Sequence, residues 1–223
     1  MKQALDAQDG LYTLILKHSD GTWEPRVIGS IVQHLFAPDD PEAVIEKMAA
    51  ASTRIVSLTI TEGGYNISDI TGEFDAANPD VVRDLEQGAA PRTTFGLVTE
   101  ALNRRKKRGL DPFTVMSCDN LQGNGHLARA AFATFARQRD PELADWVKRE
   151  VCFPDSIVDR ITPTTTDAAG RSPGAVRHRR PVAGSLRAVH AVGALGRLHG
   201  RAGRRTKTPG YSSRTTWSRT DCC

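Results

Sequence analysis

The chain has 223 residues, 39% of them apolar and 6% aromatic, which is enough for one large or two small domains around a modest core. No run of about 18 apolar residues occurs, so no membrane span is expected, and Met1–Asp9 lacks the apolar stretch of a secretory signal. The formal net charge of +4 averages two unlike regions: residues 171–223 carry eleven Arg and one Lys against the single acid Asp221, a net of +11, which leaves residues 1–170 at −7.

Lys2–Ala7 reads as the end of a helix and Leu11–Leu16 as a strand. His18–Thr22 is a turn signal, and Pro25–Val32 reads as a second strand, so that the two predict a hairpin. Asp40 and Pro41 have the character of N-cap and N1 for a helix over residues 42–51. Arg54–Ile60 is rich in β-branched residues and predicts a buried strand, ending in the polar, glycine-bearing Thr61–Tyr65. Asn78–Asp80 and Ala90–Arg92 punctuate the next stretch. Thr93–Arg108 predicts a helix with a basic last turn, Arg104–Arg108, and Gly109 at C′. Cations there complement the helix dipole, so a solvated helix end is preferred to a phosphate or nucleic-acid site.

An apolar run, Phe113–Met116, then stops at Ser117–Gly125, and a helical segment follows over His126–Ala136. Asp140 and Pro141 begin another helix, which runs to Val151, and Cys152–Pro163 closes the region with a compact Val158–Arg160. Strand–helix alternation from about residue 54 argues for an α/β sheet. Ligands of such sheets bind in the crevice at the C-terminal strand ends. Cys118, Cys152, Cys222 and Cys223 form neither a disulfide framework nor a zinc spacing, and a reduced, cytoplasmic setting is expected.

Three strand-end segments can carry chemistry: Thr61–Tyr65, Ser117–Gly125 and Val158–Pro163. Taken singly, each has a structural alternative. Glycine after a strand serves tight turns, Asn120 could cap the following helix, and Asp159 with Arg160 could be an ion pair. Taken together, Thr59–Tyr65 (TITEGGY), Ser117–Gly125 (SCDNLQGNG) and Phe153–Pro163 (FPDSIVDRITP), in this order and near these separations, resemble the mannitol dehydrogenase family of long-chain polyol and sugar-acid dehydrogenases. The resemblance covers about residues 1–168.

That resemblance implies an N-terminal Rossmann-type domain that binds NAD, a largely helical C-terminal domain that completes the site, and no catalytic metal. Hydride would pass between a secondary alcohol carbon and the nicotinamide, with a lysine as general base and two asparagines donating to the oxygen. One of those asparagines maps to Asn120, the expected catalytic residue. Cofactor contact is expected from Thr61, Glu62, Ser117, Cys118, Asp119 and Asp159. Cys118 is expected to pack rather than to act as a nucleophile, because no His is placed to activate it. The substrate expected is a small polyol or sugar acid.

Two family features are absent from this sequence. The Gly-x-Gly-x-Phe-His-Arg type loop after the first strand does not occur, and its place is expected upstream of Met1. The catalytic Lys-x-x-x-x-Asn-x-x-His motif is also missing: Lys148 and Lys207 are the only lysines after Lys107, and neither has the following Asn and His. The expected organisation is therefore an incomplete Rossmann-like α/β domain over 1–168, followed by a basic tail over 169–223. The tail, rich in Arg, Gly, Ser and Thr, reads like GC-rich coding DNA in a wrong frame. Back-translation with chosen codons, read one base later over Val189–His199 and two bases later over Arg205–Thr220, returns segments of the family's type. The tail is expected to be disordered, and apolar surface left uncovered on the body is expected to reduce solubility. The competing reading is polyanion or nucleic-acid binding through the tail. It lacks aromatic stacking pairs and any zinc or helix-turn-helix pattern.

Overall fold

The computed structural model describes residues 5–18, 20–68 and 73–157. The Val158–Pro163 segment with Asp159, and the basic tail, lie outside the described residues.

Strands β1 (Tyr12–Lys17) and β2 (Trp23–Ile28) form the expected antiparallel hairpin, with Tyr12 opposite Ile28 and Lys17 opposite Trp23. The turn is set by Asp20, whose Oδ1 accepts from Thr22 N at 2.8 Å. The second strand therefore begins two residues before Pro25 and ends at Ile28, not at Val32. Pro25 lies opposite Ile15, and a residue without an N–H is tolerated because the strand is an edge. Leu11, Tyr12, Leu14, Ile15, Trp23 and Val27 remain exposed on this hairpin.

Helix α1 (Pro41–Ala49) starts as expected: Asp40 accepts from Ala43 N at 2.9 Å, and Pro41 occupies the first turn. Its buried residues Val44, Ile45, Met48 and Ala49 fall on one face. Strand β3 (Ile55–Leu58) and a 3-10 turn (Glu62–Tyr65) follow. Asn78-Pro79, read above as mere punctuation, begins helix α2 (Pro79–Leu85): Asn78 accepts from Asp80 N, and the proline sits where its missing N–H is harmless.

Helix α3 (Thr94–Lys107) is capped by Thr93, whose Oγ1 accepts from Gly96 N at 3.0 Å. At its other end Gly109 N donates to Lys106 O and Leu110 N to Arg105 O. This paired closure needs a left-handed residue at C′, and Gly109 supplies it at φ +65°. Strand β4 (Thr114–Ser117), helix α4 (Asn124–Arg139) and helix α5 (Pro141–Glu150) complete the described chain.

Strands β3 and β4 pair in parallel, Ile55 opposite Thr114 and Leu58 opposite Ser117. Val115 N also donates to Cys152 O at 3.0 Å, so the chain leaving α5 runs beside β4. Val56, Leu58, Val115 and Ser117 are buried, whereas Ile55 is exposed and Ser57, Thr114 and Met116 are half-buried. The strands thus alternate rather than being buried on both faces. Their closed face meets an aromatic core in which Phe95 lies 5.0 Å from both Phe74 and Phe132, ring centre to ring centre.

The basic end of α3 is solvated at Lys107 and Arg108, as expected, but docked at Arg104 and Arg105. Arg104 bonds Glu42 and Glu46 on α1 and Glu100 on its own helix, and Arg108 bonds Glu46. Arg105 is buried: it donates to the carbonyls of Ala50 at 2.9 Å, Thr53 at 2.8 Å and Asp111 at 2.6 Å, and stands 5.5 Å from the centre of the Phe113 ring. The cause is that α1 and α3 pack together, so Arg104 and Arg105 face glutamates and open carbonyls, whereas Lys107 and Arg108 remain exposed.

Candidate functional site

Parallel pairing brings the C-terminal ends of β3 and β4 side by side, and with them the two polar segments that follow. Asp119 joins them. Its Oδ1 accepts from Thr61 N at 2.9 Å, and its Oδ2 accepts from Ile60 N at 3.0 Å and from the Tyr65 hydroxyl at 2.9 Å. Tyr65 Oη also lies 2.5 Å from Ser117 Oγ. With the phenol proton given to Asp119, Ser117 is the donor in that contact. Ser117 Oγ in turn accepts from Asp119 N at 3.4 Å, which closes the ring of bonds.

A second bridge ties in the third segment. Asn124 is 1% exposed and uses its whole amide. Its Nδ2 donates to Asp119 O at 3.0 Å and to Ser156 O at 2.9 Å, and its Oδ1 accepts from Ser156 N at 2.9 Å. Ser156 Oγ donates to Ser117 O at 2.5 Å. The segments at 61–65, 117–124 and 153–156 therefore form one hydrogen-bonded lattice.

The expected site residues divide into two sets. Thr61, Glu62 and Asn120 are exposed, at the ends of the two paired strands. Asn120 does not cap the next helix, because the N-cap of α4 is Gly123, so that alternative falls. Ser117 and Asp119 are buried, with their side chains engaged inside the lattice. Cys118 is half-buried, and its N–H donates to Leu58 O at 2.8 Å. Burial, and then the neighbouring Asp119, push its thiol pKa up, which leaves the group protonated at neutral pH and suits packing. Burial likewise raises the pKa of Tyr65, with Asp119 adding to the effect and the Ser117 hydrogen bond opposing it.

Tyr65, Asn124 and Ser156 received no role from the sequence. A tyrosine that ends a strand turn and enters the core must find a partner for its hydroxyl, and that was the available signal for Tyr65. Nothing comparable marks Ser156, whose partners lie 32 and 39 residues away.

A dinucleotide also needs a phosphate cradle of free backbone N–H groups at a helix N-terminus. Among the described residues, the strand–loop–helix unit β4–α4 does not offer one. Gly125 N at the start of α4 donates to Asp155 Oδ1 at 2.7 Å, and a Cβ at Gly125 would stand 2.5 Å from Phe153 O and 2.6 Å from Pro154 C. The chain's own Phe153–Asp155 fills that place. The β4–α4 unit therefore holds no open phosphate cradle, and the exposed polar residues at the strand ends are Thr61, Glu62 and Asn120.

Comparison with known proteins bears on the same stretch. The family description "Mannitol dehydrogenase Rossmann domain" matches residues 1–183. The chain is 52% identical over 167 residues to a mannitol 2-dehydrogenase of Phaeosphaeria nodorum, covering 75% of this chain and 29% of that protein. It is 51% identical over 160 residues to a polyol:NADP oxidoreductase of Gluconobacter oxydans, covering 72% and 33%. Among solved structures it is similar to a Pseudomonas fluorescens mannitol 2-dehydrogenase in ternary complex with NAD and D-mannitol, with a TM-score of 0.70 and 48% identity over 74% of this chain and 34% of that one. A substrate-free D-sorbitol dehydrogenase gives a TM-score of 0.72 at 49% identity, over 75% and 35%. The chain thus spans about a third of the length of these relatives. From the matched domain and from these likenesses, the chain belongs to the mannitol dehydrogenase family and has its Rossmann-type α/β fold.

Proposed function

We propose that residues 1–168 are the strand-end part of a dehydrogenase site for a mannitol-like polyol and its ketose, with a uronate as the alternative substrate. The observation that supports this reading is that exposed Thr61, Glu62 and Asn120 follow the adjacent ends of β3 and β4, which Asp119 ties together. NAD, when bound, supplies the hydride acceptor. Asn120 donates its amide N–H to the alcohol oxygen as charge develops there, and Thr61 and Glu62 face the cofactor. Asp159 has the same assignment by resemblance and lies outside the described residues. NAD is the cofactor in the complex of the Pseudomonas fluorescens relative, the Gluconobacter oxydans relative is a polyol:NADP oxidoreductase, and a cytoplasmic setting goes with this metabolism.

No lysine of the sequence carries the general-base motif, and loss of a general base lowers rates by about 10²–10⁴. The 223-residue chain alone is therefore expected to turn over mannitol with NAD at or near background. Spectrophotometric assay of the purified chain tests this, and turnover at ordinary enzyme rates would refute it. The tail's charge of +11 favours polyanion binding as the competing reading. A gel shift with sequence preference at physiological salt would support that reading.

A further inference from the structure

We propose that Asp119 is a positioning residue: its carboxylate holds Thr61 in a left-handed backbone conformation and so sets how the Thr61–Glu62 rim meets a nicotinamide dinucleotide. This inference rests on the function proposed above and deepens it.

Thr61 has φ +64° and ψ 169°. That region is open to glycine and closed to ordinary side chains, and a β-branched residue fits it worst. Thr61 is exposed, so no packing around its side chain imposes the conformation. The constraint comes from its backbone. Thr61 N and the preceding Ile60 N both point to the Asp119 carboxylate, at 2.9 and 3.0 Å, and Thr61 O accepts from Gly64 N at 3.0 Å.

Asp119 is itself fixed from behind by the Tyr65 hydroxyl and by Asn124, which bonds its carbonyl. A chain that only had to turn here could place glycine at position 61, as it does at Gly21 and Gly109, both at positive φ. The sequence instead keeps a threonine at the rim and holds it there with a buried carboxylate. Such an outlier on a candidate site is a pre-organised element. Without the carboxylate, the rim populates other conformations, and ligand affinity falls by the fraction of time it spends in them.

The test uses the full 223-residue chain and NADH as the probe, with two readouts on each variant. Amide-exchange protection of Ile60 and Thr61 reports the placement of the rim without any cofactor. NADH titration, followed by amide shifts at Thr61–Gly64, reports binding down to millimolar affinity. In Asp119→Asn, protection at Thr61 should be lost and NADH affinity should fall about tenfold. Glycine adopts the same φ unaided, so Thr61→Gly/Asp119→Asn should lie closer to Thr61→Gly than to Asp119→Asn in both readouts. A general loss of stability would not be rescued in this way.

Should Asp119→Asn fail to fold, Tyr65→Phe, which strips one donor from the carboxylate, should raise exchange at Thr61, and Thr61→Gly should suppress that rise. Unchanged protection in these variants, or a double variant no better than the single, overturns the proposal. If the wild-type chain shows no NADH shifts while the exchange results hold, the cofactor-facing role proposed above for Thr61 and Glu62 in this chain fails and the positioning of Thr61 by Asp119 stands.

Discussion

Tyr65 Oη and Ser117 Oγ lie 2.5 Å apart, both residues fully buried, and link the turn after β3 to the last residue of β4. Tyr65→Phe leaves Ser117 and Asp119 each short of a partner in the core. Loss of such a buried bond costs about 1–3 kcal/mol, measurable by urea unfolding at pH 7. The pH dependence has a definite sign. The folded-state pKa of Tyr65 is raised, chiefly by burial, so above the ordinary tyrosine value of about 10 the unfolded chain releases a proton that the folded one retains. Stability from this group is full below that pH and is lost as pH rises beyond it. The phenylalanine variant should lack this alkaline limb.

Arg105 is a buried cation that spends its donors on backbone carbonyls, not on a carboxylate. Burial lowers its pKa, and Arg54 adds to the effect, yet guanidinium remains charged at any ordinary pH. Arg105→Ala strands the carbonyls of Ala50, Thr53 and Asp111 and removes a side chain packed on Phe113, for an expected loss of about 3 kcal/mol or more, at about 1 kcal/mol or more for each stranded carbonyl. Arg105→Lys should recover little of it, because one ammonium cannot reproduce the planar fork. Thermal melts of the two variants check this, and a lysine variant as stable as wild type would contradict it.

Glu46 shows the opposite pH behaviour. Hydrogen bonds from Arg108 and then Arg104 hold its pKa down to about 2. A carboxyl depressed in the folded state stabilises above its unfolded value and loses that contribution as pH falls toward 2. The side chain is 42% exposed, so screening limits the effect to about 1 kcal/mol at most. Glu46→Gln should therefore be slightly less stable at neutral pH, equal to wild type near pH 2, and less distinguishable in high salt.

Local signals located the elements well. Asp40-Pro41, Thr93, Gly109 and Asp140-Pro141 each mark a helix end through a bond made within a few residues, and such bonds are visible in sequence. The meeting of β3 with β4 was legible only as a family pattern. Asp119 reaches partners 54 to 59 residues back, a distance over which periodicity carries no information. For that reason nothing in the sequence showed that the side chains of Ser117 and Asp119, expected to contact the cofactor, are engaged inside the lattice. The basic end of α3 misled for the same cause. The glutamates that neutralise Arg104 and Arg108 lie 62 residues earlier, on α1.

The β1–β2 hairpin carries apolar side chains on both faces. Tyr12 and Leu14 lie on one, Ile15, Trp23 and Val27 on the other, with Val27 71% exposed. A two-stranded ribbon has two open edges as well, and exposed apolar edges promote pairing between chains. The chain is expected to self-associate as concentration rises, with light scattering growing faster than linearly. Ile15→Thr/Val27→Thr keeps the β-branched shape that strands favour and removes apolar surface. It should lower the scattering and change unfolding stability by about 0.5 kcal/mol or less, as surface substitutions do. Equal scattering from the two proteins would place the association elsewhere, and the open face of Ile55 on β3 would be the next surface to alter.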